Sequence, residues 1–161
     1  MAEQRHPSLG ARLALAGTAG LLAALTGLAA HAQAHEARQG GYLLRSSTVS
    51  SQRIAPQTAA RHGIAPAPGR ALLNVVVLRT ASPSSAQATV AAEVSASRQD
   101  LAGVHQRIPM REVRANGYIS YIGSYEFLPR EVIDFTVTAT PADGQGGAPL
   151  TLTYRERMGR Y

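Results

Sequence analysis

The residues able to do chemistry are few and spaced apart. Histidines stand at 6, 31, 35, 62 and 105. The first two fall in an amino-terminal segment that reads as removable, which leaves His35, His62 and His105. None of these three has another of them at the one- or three-residue separation that lets two imidazoles grip one metal ion. A chain cut just before His35 would begin with a free amine beside an imidazole, a pair suited to copper. His35, with His62 or His105 as a further ligand, is therefore a candidate metal site. The plainer reading is a polar leader whose histidine touches nothing. Cysteine is absent, so there is no thiolate nucleophile and no sulfur-held metal. The serines lie in polar stretches without a Gly-x-Ser-x-Gly elbow. The glycines at 144, 146 and 147 are not followed by Lys-Ser or Lys-Thr, so they form a loop and no phosphate cradle. No catalytic constellation is visible and no cofactor is implied. A hydrolase remains an alternative only because a triad can be assembled from distant positions.

A binding surface is the better expectation. Asn116-Gly117 is the strongest hairpin signal in the chain, and Tyr118, Tyr121, Arg111 and Arg114 surround it. Aromatic anchors next to guanidinium groups are the composition of many recognition surfaces, with a protein or cell-envelope component as the expected partner. Tyrosine is also a favoured strand residue, so ordinary strand composition would supply the same rings. Glu112 opposite an arginine reads as a surface ion pair.

Arg5 and Arg12 precede a stretch, Leu13 to Ala30, without a charge, in which alanine, glycine and threonine dilute the leucines. Ala30-His31-Ala32 and Ala32-Gln33-Ala34 follow as overlapping small-x-small sites. This is the pattern of a cleaved secretory signal, too weakly apolar for a stable membrane anchor. Residues 1–34 are expected to be removed, by a cut after Ala34 or after Ala32, leaving 35–161 as one domain in the periplasm or outside the cell. All 16 basic residues are arginine. Beyond the signal, 14 arginines face 9 acids, an excess that could lean on anionic envelope surfaces. The arginines are scattered rather than grouped, and export removes DNA as a natural partner, so nucleic-acid binding is not expected.

The elements that must position these residues read as strands. Tyr42 to Val49 is a first, edge strand. Pro56 opens and Gly63 closes a helix of one or two turns. Ala71 to Arg79 is continuously apolar and forms the central strand, with Asn74 inside it in need of hydrogen-bond partners. Val90 to Ser95 alternates. Gln106 to Val113 is a strand at an edge or with a bulge, because Pro109 removes a ladder donor. Tyr118 to Tyr125 is the second arm of the Asn-Gly hairpin. Tyr121 and Tyr125 share a face with Ile119, whereas Tyr118 lies with Ile122. Val132 to Thr140 alternates most cleanly, and Leu150 to Arg155 ends the series. About seven strands, one short helix and no βαβ alternation give an all-β, antiparallel sandwich of immunoglobulin or fibronectin type III character.

This order of segments is familiar. The Tyr42 strand, the helix from Pro56 to Gly63, Arg70-Ala71-Leu72-Leu73-Asn74-Val75, Ala91-Ala92-Glu93-Val94-Ser95, Arg111-Glu112-Val113 with Tyr121-Ile122-Gly123, and Phe135 together resemble an exported proteobacterial family, domain of unknown function 4426. The resemblance covers nearly the whole chain after the signal. It implies a secreted β domain and carries no assigned activity. The resemblance implies an acidic or hydroxyl cap on the short helix, a position where this chain has Ala55.

Overall fold

The computed structural model describes residues 34–80, 88–143 and 148–159. Residues 1–33 of the expected signal, the Ser-Pro-Ser-Ser stretch at 82–85 that reads as a turn, and the glycines at 144, 146 and 147 lie outside them. Ten strands are described: β1 (His35–Gln39), β2 (Tyr42–Ser50), β3 (Arg70–Arg79), β4 (Ala88–Thr89), β5 (Ala92–Asp100), β6 (His105–Ile108), β7 (Arg111–Ala115), β8 (Tyr118–Glu126), β9 (Val132–Pro141) and β10 (Leu150–Arg157). A 3-10 turn (Ser51–Arg53) and a helix, α1 (Pro56–Arg61), stand between β2 and β3. All pairings are antiparallel. The first sheet runs β1-β2-β3-β8-β7 with β4 beside β3, and the second runs β10-β9-β5-β6. The expected antiparallel sandwich is present, with three departures.

The leader is not loose: His35–Gln39 pairs with β2 through His35↔Ser46 to Gln39↔Tyr42, so β2 is no edge strand. Gly40 and Gly41, with φ of 57° and 79°, form the two-residue turn that joins them. The strand expected from Gln106 to Val113 is two strands in different sheets. β6 pairs with β5 and β7 with β8, and the chain changes layer at Pro109-Met110. Proline, which cannot donate to a ladder, sits where no ladder passes. Lastly, the two residues Ala88–Thr89 add a short strand against β3.

Alternation explains the core. Ile133, Phe135, Val137 and Ala139 of β9 are fully buried and meet Leu44, Leu73, Val75 and Val77 of the facing sheet. Phe135 lies at the centre, edge-on to Tyr125 at 5.3 Å and stacked on Tyr154 at 5.2 Å. Each of the valine, leucine, isoleucine and phenylalanine side chains contributes about 1.5–3 kcal/mol by leaving water. β3 is apolar on both faces because its outer face is also covered. Leu72 packs with Ile54 and Ala59 under α1, and Val76 and Leu78 pack with Leu43 and the half-buried Tyr118.

α1 is short, and its placement rests on its ends. Ala55 offers no side-chain cap. At the other end Gly63 takes φ +60°, a left-handed conformation that costs glycine little. The Gly63 N–H then donates to the Ala60 carbonyl at 3.2 Å and the Ile64 N–H to that of Ala59 at 2.8 Å, the double bond of a Schellman closure, which brings Ile64 back onto the helix's apolar side. The buried Ser51 hydroxyl donates to the Ala67 carbonyl and accepts from the Ala67 N–H, both at 3.0 Å. These bonds tie the start and end of the α1 excursion together over β3.

Candidate binding groove

Between the α1 corner and the β7–β8 hairpin the outer face of the first sheet is concave. Leu72 and Ile122 form the floor of a groove of about 340 Å³, and Ile64 lines its helix side. The loop that follows α1 is one wall, and two arginines hold it. The Arg111 guanidinium, from β7, donates through Nη2 to the His62 carbonyl. That of Arg70, at the start of β3, donates through Nη1 to the Ala65 carbonyl at 3.3 Å and pairs through Nη2 with Glu126 at 3.2 Å. Both arginines line the groove. Burial, with the nearby Arg111 and Arg61 charges adding to it, lowers the His62 pKa below the usual imidazole value, so this side chain is neutral at pH 7.

Under α1 a smaller hollow of about 20 Å³ shares His62, Ile64, Leu72 and Ile122 with the groove and is otherwise walled mainly by apolar side chains. Asn74 lines it as well. Its Oδ1 is buried without a hydrogen-bond partner, so the need for partners noted from the sequence is not met. An acceptor left in that condition costs about 1–3 kcal/mol.

The structure divides the four residues expected to form one binding patch. Arg111 is in the groove. Tyr118 shares the outer face but packs at the other end, against Leu43, Val76 and Leu78. Tyr121 is a core residue, 5% exposed; its hydroxyl accepts from the Ala92 N–H at 2.7 Å and donates to Glu112 at 3.0 Å. Arg114 pairs with that same Glu112, on the parity opposite to Arg111. Side-chain alternation is the reason: 111 and 114 cannot share a face of one strand. Arg70 and His62 join Arg111 instead, through the fold of the α1 corner, and Asn74 lines only the hollow beneath.

The histidines are not brought together either. His35 lies on β1, its ring stacked on Tyr154 at 3.8 Å; its Nε2 is buried without a partner, and burial lowers its pKa. His62 ends α1, and His105 is exposed on β6 in the other sheet. Among the described residues no group of three or more histidine, aspartate or glutamate side chains could hold a metal ion. Placed on β1, at the end of α1 and on β6 of the second sheet, His35, His62 and His105 do not form one donor set. No helix among the described residues is long and apolar enough to cross a membrane.

Solved structures share this architecture. A DUF4426 family protein from Pseudomonas aeruginosa PAO1 superposes with a TM-score of 0.66 at 20% identity, over 80% of this chain and 96% of that one. FetP of uropathogenic Escherichia coli strain F11, expressed in the periplasm of E. coli, gives 0.58 at 11% identity, over 81% and 97%. Copper-reconstituted P19 from Campylobacter jejuni gives 0.50 at 10% identity, over 78% and 94%. At these identities FetP and P19 establish the likeness of fold. No curated protein matches the chain. The P. aeruginosa likeness agrees with a family match over residues 36–158, and the chain belongs to the family described as domain of unknown function DUF4426.

Proposed function

We propose that this protein is a noncatalytic binding module of the cell envelope that seats a small ligand in the groove between the α1 corner and the β7–β8 hairpin. The observation that carries the reading is the groove itself: an apolar floor of Leu72 and Ile122 beneath a rim of guanidinium groups fixed by backbone carbonyls. Concave apolar sites with a few placed polar groups are where small molecules bind. Guanidinium and alkyl groups hold and orient a ligand; they do not attack it. A hydrolase reading has no such support from the groove.

Ser124 lines the groove from an exposed position, so Ser124→Trp fills the space without entering the core. The neutral fluorescent probe N-phenyl-1-naphthylamine should bind the wild type saturably, and Ser124→Trp should weaken it about tenfold or more, the loss of about 1.4 kcal/mol, at an unchanged melting temperature. Equal binding by both proteins would rule out the groove as the ligand site.

A copper reading has one observation of its own. The unpartnered His35 Nε2 lies on a fold shared with a copper-bound FetP variant and copper-reconstituted P19. It would require ligands other than His62 and His105. In calorimetric titration of Cu(II) into the purified protein, heat indistinguishable from that of His35→Ala is expected. One tight equivalent, lost in His35→Ala, would establish copper binding instead.

A further inference from the structure

The two arginines of the groove are held in an unusual way. Arg70 and Arg111 come from different strands, yet both donate to carbonyls of the same short loop, Ala65 and His62. Each guanidinium carries five N–H donors in a rigid fork. Arg111 spends one on the loop, and Arg70 spends two, on the loop and on Glu126. The remainder are available on forks whose orientation is already fixed, so little side-chain entropy is lost when they bind an anion. Among the described residues no carboxylate lines the groove. Glu126 neutralises Arg70 from outside it, with 80% of its side chain exposed, where pairing is weak. Among the described residues neither Arg111 nor Arg61, beyond it, pairs with a carboxylate, and the charges acting on His62 are both positive.

Opposite this cationic rim the surface is alkyl: Ile64, Leu72 and Ile122. At about 340 Å³ the groove is at the small end of ligand sites, and the hollow of about 20 Å³ beyond it is too narrow to admit a chain. Resting on the groove reading above, we infer that the ligand is a short single-chain amphiphile with an anionic head. Its carboxylate lies between Arg111 and Arg70 and its alkyl chain along Ile64, Leu72 and Ile122. Charge-assisted bonds from two preset forks select the head, and burial of each methylene adds about 0.8 kcal/mol. Neither part of the site alone would discriminate such a molecule from a simple anion or a simple alkane.

The test compares sodium octanoate with 1-octanol by calorimetry and by backbone amide shifts, in the wild type, Arg111→Gln, Arg111→Lys, the pair Arg70→Gln with Arg111→Gln, and Ser124→Trp. Melting curves would confirm that each variant is folded. Octanoate is expected to bind the wild type about tenfold or more tightly than octanol. That preference should fall to about twofold or less in the double variant and be partly kept by Arg111→Lys, with shifted amides at 62–65, 72 and 122–124. If octanol and octanoate bind equally and Ser124→Trp blocks both, the anionic head is wrong and the groove reading stands. If octanoate fails to bind while the neutral naphthylamine probe does, the anionic head is again wrong. If octanoate binds every variant alike, its site is elsewhere; naphthylamine binding that is also unaffected by Ser124→Trp would overturn the groove as well.

Discussion

Glu131→Ala should destabilise the protein by about 3–5 kcal/mol, the cost of stranding a buried charge. Glu131 Oε1 accepts from the Arg98 Nη2 at 3.3 Å, with side-chain exposures of only 10% for Arg98 and 13% for Glu131. The guanidinium also donates to the Glu126 carbonyl, but its Nε is buried and unpartnered. Without the carboxylate the cation would remain in a low-dielectric site with one neutral acceptor. The same carboxylate accepts from the Leu128 N–H at 2.8 Å through its other oxygen, so it also holds the β8–β9 turn. Glu131→Gln keeps that second bond and should cost less. Removing both charges, Arg98→Met with Glu131→Leu, should return most of the loss, because a buried pair contributes little net stability over apolar groups of similar volume. Urea unfolding measures all four proteins. A loss below about 1 kcal/mol in Glu131→Ala, the range of exposed pairs, would show that water reaches the pair and that the argument from burial fails.

Gly123→Ala is the second large effect, about 2–3 kcal/mol at the upper end of ordinary overpacking. A Cβ at this position would stand 2.6 Å from Ile108 Cγ2, 2.6 Å from Met110 Sδ and 2.8 Å from the Pro109 carbonyl oxygen. The methionine can swing away. The carbonyl cannot, because its segment is held on both sides, by β6 in one sheet and β7 in the other. Elsewhere in a strand, alanine in place of glycine should help by about 0.5–1 kcal/mol, so the sign of the change is informative. A stabilised Gly123→Ala protein would mean that the crossing at Pro109-Met110 does not press on β8.

Much of the fold could be read from the sequence wherever the physics is local. The strict alternation of Val132 to Thr140 marked β9 and its core-facing Phe135. The parity of the tyrosines separated Tyr121 and Tyr125 from Tyr118, as found, although parity did not tell which face turns inward. Asn116-Gly117, with φ of 51° and 77°, is the turn its side chains demand. Pro56 and Gly63 bracketed α1. What escaped depended on partners. β1 is polar and mostly exposed, so its hydrophobic pattern is silent; the only local sign was Gly40-Gly41, a hairpin turn hidden behind the low apolarity of the strand it closes. Pro109 was correctly read as a place where a ladder fails, but whether a failed ladder is an edge, a bulge or a change of sheet is decided by which strands lie alongside.

The site was less legible for the same reason. Arg111 was singled out, though for its neighbours in sequence, Tyr118, Tyr121 and Arg114, of which only Tyr118 shares its face. Its actual companions, Arg70 and His62, are joined to it by a helix corner whose seat depends on the Ser51–Ala67 bonds and the Ile64 contact. Asn74 could be flagged as a polar residue in an apolar run. That its amide oxygen would go unanswered could not.

The layer change at Pro109-Met110 also sets how the molecule can breathe. Both two-residue crossings between the sheets, at Val90-Ala91 and at Pro109-Met110, connect strands at the β4, β5, β6 and β7 side, so covalent chain clamps the layers there like the spine of a book. On the fore-edge β10 meets β1 and β2 through side chains: the His35 ring of β1 on Tyr154 and the Ser46 hydroxyl of β2 against the Tyr154 hydroxyl at 2.9 Å. Among the described residues no chain crosses between the layers at that fore-edge, and Tyr154, which both contacts share, is the clasp.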